Sequence, residues 1–334
     1  MKKNWGFLIR FTISLAALAG LLWALRDKLG EAFLIVSRGF RWEWFLVAAA
    51  LNLGATALIS RRLQVVFRVQ GVKVSFLQSL YLSILGLFFT LFFPSAFGGD
   101  VAKGYFAYQY SGKKLGSLTG VVLDRLLGSV TLVLIALLAV TVYSRSLANP
   151  AVERSVWGVL GILLLGTIFI TNPRFAKKFQ FLSFLIPSAK WRENLGNLYH
   201  ALREYKNHKK LLVTCCIISV MAQLLFLAMG YFLARALGIG ISLWPFFILM
   251  PLVGFVSMAP SLSGLGVREA GFVFFFKSLI PTEQAFALSL VYDLLFYGSA
   301  VAGGLLFAVK GGLKREILHE LETVETLQEV GHDR

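Results

Sequence analysis

Two stretches rich in proline and glycine interrupt strongly apolar sequence in this chain: Phe93-Pro94-Ser95-Ala96-Phe97-Gly98-Gly99-Asp100 and Ala259-Pro260-Ser261-Leu262-Ser263-Gly264-Leu265-Gly266. Downstream of each, an acidic residue precedes a Leu-Leu pair in an apolar run, Asp124-Arg125-Leu126-Leu127 in the first copy and Tyr292-Asp293-Leu294-Leu295 in the second. A helix broken inside hydrocarbon leaves backbone N–H and C=O groups unpaired. Such breaks persist only where protein or a water-filled cavity receives the freed groups. Breaks in corresponding places of two halves point to a site at the interface between the copies.

Composition supports a membrane setting for these breaks. With 57% apolar and 15% charged residues over 334 positions, the chain has too little polar surface to cover a soluble core. Its mean hydropathy is +0.73. The reading is an all-α polytopic integral membrane protein with about six full spans, near residues 7–25, 43–60, 116–143, 156–171, 211–234 and 286–309. Two re-entrant broken-helix hairpins lie between them, with arms at 76–93 and 100–111 and at 244–259 and 267–280, each short for a crossing. The run from residue 7 contains Arg10 and lacks a small-residue cleavage site, so it reads as a span and not as a signal peptide. Cys215 and Cys216 are adjacent within a span and read as apolar fillers, not a disulfide. The expected organisation is a single transmembrane domain over 1–310, its first repeat at about 61–143 and its second at about 241–309, with a cytoplasmic tail over 311–334.

The 33 Lys+Arg against 17 Asp+Glu report orientation in such a protein and not nucleic-acid binding. With the N-terminus inside, 22 basic residues fall on the cytoplasmic side, Arg61 and Arg62 among them, and 8 outside, while Lys103, Arg125 and Arg268 lie at membrane depth. This predicts a multi-pass protein of the cytoplasmic (inner) membrane with both termini cytoplasmic. It also makes the hairpins enter from opposite faces, as an inverted repeat requires. Trp191, Leu195, Leu198, Leu202 and Tyr205 recur at spacings of four and three among charged residues, the pattern of an amphipathic helix on the inner leaflet.

The glycines at the breaks, Gly98 and Gly99 or Gly264 and Gly266, permit positive φ and close backbone approach. The returning half-helix then aims its first N–H groups and positive dipole end at the cavity, an arrangement suited to a phosphate. The plainer alternative is that they kink helices for packing. Asp100, Lys103, Asp124, Arg125, Arg268, Glu269 and Asp293 all fall at or near membrane depth, where an unpaired charge costs about 3 kcal/mol, so they face the interior. Gly98, Gly99, Lys103, Arg125, Gly264, Gly266 and Arg268 are the candidate lipid-headgroup residues. Asp100, Asp124, Glu269 and Asp293 are the candidate coupling or ion-pair residues.

Each charge has a second reading. Asp100 and Glu269 could simply complement a helix start. Lys103 could pair with Asp100 at i,i+3 or reach a headgroup. Arg125 and Arg268 oppose the helix dipole and need a carboxylate or a ligand phosphate. With three cations against four carboxylates, internal ion pairs that open for a headgroup or a proton are expected. Asp124 and Asp293, inside long spans, are the favoured proton exchangers. His200, His208, His319 and His332 lie away from the hairpins, so no catalytic or metal-binding set is expected and no cofactor. No glycine-rich Lys-Ser/Thr phosphate loop occurs, so transport would draw on protons, ions or the membrane potential and not on ATP.

Pro94-Ser95, Gly98-Gly99-Asp100, Asp124-Arg125-Leu126-Leu127-Gly128, Pro260-Ser261 and Gly264-Leu265-Gly266-Val267-Arg268-Glu269-Ala270 together resemble the transmembrane, flippase-like domain of the lysylphosphatidylglycerol synthase family, over about residues 5 to 310. The resemblance implies flipping of a membrane lipid. The cargoes proposed for members differ, from aminoacylated phospholipids to lipid-linked sugars and hopanoid-related lipids, so the fold does not fix the cargo, and the expected ligand is a membrane lipid, either a phospholipid or a lipid-linked intermediate. The family commonly has Arg where this chain has Lys103, and Tyr-Arg where it has Tyr292-Asp293. Its founding members carry a cytosolic aminoacyl-transfer domain after the membrane part. Ending at Arg334, this chain is expected to handle a lipid made elsewhere, by a partner lipid synthase or glycosyltransferase. The alternatives are a non-transporting subunit that presents lipid to such a partner, and a membrane-embedded lipid-modifying enzyme.

Overall fold

The computed structural model describes residues 39–92, 98–143, 208–257 and 264–309, with short pieces at 34–35, 157–158, 161 and 205. The expected span at 7–25, most of that at 156–171, the tips at 93–97 and 258–263, the tail at 311–334 and all of the amphipathic segment except Tyr205 and 208–210 lie outside these residues. The described residues form eight helices: α1 (Trp42–Val69), α2 (Phe76–Phe92), α3 (Gly98–Ser111), α4 (Lys114–Tyr143), α5 (Lys209–Ala236), α6 (Trp244–Val256), α7 (Val267–Phe276) and α8 (Thr282–Val309). They contain no strand.

Length divides these helices into two kinds. α1, α4, α5 and α8 each contain an apolar stretch long enough to cross a membrane, and the protein is a multi-pass membrane protein. α2, α3, α6 and α7 have 17, 14, 13 and 10 residues. All four fall short of the ~20 residues that a perpendicular crossing needs.

α1 runs nine residues past the expected end of its span. Two adjacent arginines read as a cytoplasmic boundary, but Leu63, Val66 and Phe67 continue the buried face with no exposed surface and carry the helix on to Val69. α1 lies antiparallel to α5, whose Ala236 carbonyl accepts from the Arg41 N–H at 2.8 Å. Arg235, at the C-terminal end of α5 where its charge suits the dipole, sits 5.5 Å over the Trp44 ring.

Many hydroxyls inside the helices are satisfied locally. The hydroxyls of Thr56, Ser60, Ser83, Thr119, Thr131 and Ser219 each donate to the carbonyl four residues earlier, at 2.7–2.9 Å. Between helices, close approach depends on missing side chains. A Cβ on Gly303 of α8 would lie 2.6 Å from the Ile84 carbonyl of α2, and one on Gly230 of α5 would lie 2.9 Å from the Phe246 ring of α6. Asn52 of α1 adds a polar tie to Ser299 of α8 at 3.0 Å.

The largest apolar core joins α5, α6, α7 and α8 around Phe246, Phe272, Phe276 and Leu249. Smaller clusters around Leu63, Phe67 and Leu82, and around Leu85 and Phe89, serve α1 to α4.

Candidate functional site

The backbones of α2 and α3 touch where the first break returns. Gly98 and Gly99 are buried in the first turn of α3, and a Cβ on Gly99 would collide with the Gly86 carbonyl and the Thr90 hydroxyl of α2. Thr90 Oγ1 donates to that same carbonyl at 2.8 Å. The second break is built differently: Gly264 and Gly266 take φ of +82° and +79° just ahead of α7. Positive φ therefore belongs to the second break, and close helix approach to the first.

Asp100 follows in the first turn of α3, one turn before Lys103. Its carboxylate accepts from Arg125 of α4 at 2.5 Å and from Lys103 Nζ at 3.3 Å. In the second half, Arg268 of α7 pairs with Asp293 of α8 at 2.5 Å, and its Nη2 donates to the Tyr297 hydroxyl at 3.0 Å. The rings of Phe296, Tyr297 and Tyr292 surround its guanidinium carbon at 4.7, 5.3 and 5.6 Å. Such a cage holds a planar cation by its faces while leaving edge donors for a ligand.

A cavity of about 430 Å³ lies between these two clusters. Its charged lining is Asp100, Lys103, Arg125 and Arg268, and Gly264 also faces it. Thr90, Ser129, Gln223 and Ser257 supply neutral polar groups, while Leu87, Leu132, Phe226, Leu227, Met250, Val253 and Phe296 supply apolar wall. Every helix from α2 to α8 contributes at least one lining residue.

The remaining candidates sit outside the lining. Gly98 and Gly99 pack against α2, and Gly266 is the N-cap residue of α7. Glu269 and Asp293 are buried behind Arg268. Asp124 points away from the cavity to Arg62 of α1, whose Nε donates to it at 2.6 Å and whose Nη1 donates to Ser219 of α5 at 2.8 Å.

Arg62 corrects the charge balance read from the sequence. It is 5% exposed and does not belong with the surface residues of the cytoplasmic side. Interior cations and carboxylates among the described residues are therefore four and four: Arg62, Lys103, Arg125 and Arg268 against Asp100, Asp124, Glu269 and Asp293. The signal that could have revealed Arg62 was the apolar spacing of Leu63, Val66 and Phe67 beyond it. The aromatic cage on α8 also escaped a reading centred on charges and glycines.

The fold and this cavity define an α-helical multi-pass membrane protein with paired charges in its interior. The chain belongs to the family described as the lysylphosphatidylglycerol synthase TM region, whose family model matches residues 7–304. Neither curated proteins nor solved structures yielded a match to the chain.

Proposed function

We propose that this protein moves an anionic or phosphate-linked lipid across the cytoplasmic membrane, with the headgroup passing through the cavity and the acyl chains in the bilayer. The observation that carries this reading is the convergence of Lys103 and Arg125 from one half and Arg268 from the other on a cavity otherwise lined mainly by apolar and neutral side chains. Two arginines and a lysine against the single lining carboxylate, Asp100, leave a positive surplus. A phosphate is the complementary ligand, and arginine can grip it in bidentate fashion.

In this reading α2–α3–α4 and α6–α7–α8 are the two copies of an inverted repeat. Each is a pair of short helices followed by a long one. The short pairs are re-entrant hairpins entering from opposite faces, and rocking of one copy against the other exposes the headgroup to alternate sides. Both termini are cytoplasmic. The protein is a transporter and not an enzyme, and it receives its lipid from a partner synthase or glycosyltransferase. Its membership of a lipid-related membrane family supports the cargo class.

The test is lipid flipping by the purified protein in proteoliposomes carrying a fluorescent anionic phospholipid. Arg125→Ala and Arg268→Ala are each expected to slow flipping about 10- to 100-fold, from a loss of ~1.5–3 kcal/mol per hydrogen bond to a charged group. The Lys replacements should keep part of the rate. Unchanged flipping by a correctly inserted double Ala variant rejects the headgroup assignment. Retained lipid binding without any flipping by the parent protein points instead to a presenting subunit.

A further inference from the structure

Two buried carboxylic acids share one arginine on the far side of the cavity wall. Glu269 follows Arg268 in the first turn of α7, and Asp293 stands opposite on α8. They are 2% and 6% exposed, and their carboxyl groups lie within hydrogen-bonding reach of one another. Arg268 is ion-paired to Asp293. Glu269 Oε2 is buried with no hydrogen-bond partner among the described residues.

The other interior acids differ. Asp124 has Arg62 to itself, and Asp100 has both Arg125 and Lys103. Among the described residues, no further cation reaches the Glu269–Asp293 pair from its neighbours. α6 carries no titratable side chain, α8 presents the neutral hydroxyls of Tyr292 and Tyr297, and the cations of α5 (Lys209, Lys210 and Arg235) stand at its two ends. Lys103 and Arg125 face the same cavity as Arg268 but are engaged with Asp100.

Two ionised carboxylates against one guanidinium would leave a net negative charge buried, with like charges in contact. A buried and unmatched negative charge is costly in low dielectric, and one proton held between the two carboxyl groups removes it. We propose that Glu269 and Asp293 hold one exchangeable proton between them, directly behind the guanidinium that faces the cavity.

The position of this proton gives it a consequence. Arg268 serves both the carboxyl pair and the cavity. An anion bound in the cavity draws the guanidinium charge away from the pair, so the pair holds its proton more tightly. By reciprocity, a protonated pair leaves Arg268 freer to bind an anion. This linkage rests on the transport reading above, whereas the proton site itself does not.

Infrared difference spectroscopy on the full-length protein in phosphatidylcholine nanodiscs tests the site without any transport assay. Wild type should show a buried carboxylic-acid carbonyl band at neutral pH that shifts on exchange into D₂O. Glu269→Gln and Asp293→Asn should each abolish it, because the single remaining carboxylate is matched to Arg268. Absence of the band in wild type, or its survival in Glu269→Gln, overturns the proposal, as does a band that disappears on adding sodium at fixed pH. Should Asp293→Asn fail to fold, the glutamine variant alone decides. With the site in place, nanodiscs containing phosphatidylglycerol should show more of the acid band in wild type than those without it, and Glu269→Gln should show no such response. An unchanged band removes the linkage. Loss of flipping with the acid band intact counts against the transport reading and leaves the proton site standing.

Discussion

Asp124 and Arg125 are adjacent in sequence and serve different parts of the molecule. A helix turns about 100° per residue, so neighbours on α4 face different partners: Asp124 meets Arg62 and Ser219, while Arg125 meets Asp100 at the cavity. The Arg62–Asp124 pair ties α1, α4 and α5 together and fixes how α4 is rotated, and so where Arg125 points. Removing one partner of such a pair leaves an uncompensated buried charge at a cost of about 3–5 kcal/mol, whereas exchanging both for apolar residues of similar size is much milder. Arg62→Met and Asp124→Leu should therefore each lower the melting temperature in detergent sharply, and the double variant should recover most of the loss. Additive losses in the double variant would show that the charges act separately. At the cavity, Arg268→Lys keeps the charge but gives up the planar face that Phe296 and Tyr297 enclose. It should retain Asp293 pairing yet weaken binding of anionic lipid about tenfold, read by lipid titration in nanodiscs, for one lost charged hydrogen bond.

Among the elements, the four short helices owe their positions to glycine used in two different ways. Gly99 brings α3 onto the α2 backbone, and Gly264 and Gly266 turn the chain into α7 with positive φ. Glycine to alanine substitutions should sort accordingly. Gly99→Ala and Gly303→Ala force a methyl into a neighbouring carbonyl and should each cost about 1–3 kcal/mol in unfolding measurements. Gly298→Ala, on α8 with nothing within 4 Å of the added carbon, should be neutral or stabilising. Equal losses at all three sites would mean that these helix contacts do not govern stability. The sequence patterns placed both ends of seven of the eight helices to within four residues, because apolar runs bounded by charge, proline and glycine are local signals. The end of α1 was missed because two adjacent arginines look the same on a membrane surface and inside a helix bundle until their partners are known.

For the molecule as a whole, the cavity is what the separate helices combine to make. Ser129 of α4 and Ser257 after α6 line it from different halves, although they are far apart in sequence. With Cys215 and Cys216 replaced, a single cysteine at Ser129 or Ser257 should react with a small polar thiol reagent in vesicles, and anionic lipid should slow that reaction more than zwitterionic lipid does. Inert cysteines at both places would argue against an open, headgroup-accessible space.

The sequence by itself determined the class of protein, the two broken segments and the interior position of seven charged residues, since low polarity, proline and glycine punctuation and the cost of burying charge all act locally or through composition. Only the tertiary structure decided which charge meets which. It took Arg62 from the surface into the bundle and gave it Asp124, set Asp100 between two cations, and left Glu269 and Asp293 with one. Pairing is settled by distance between helices whose relative rotation and depth no local pattern encodes. The balance of charge around the cavity is therefore a property of the packed molecule.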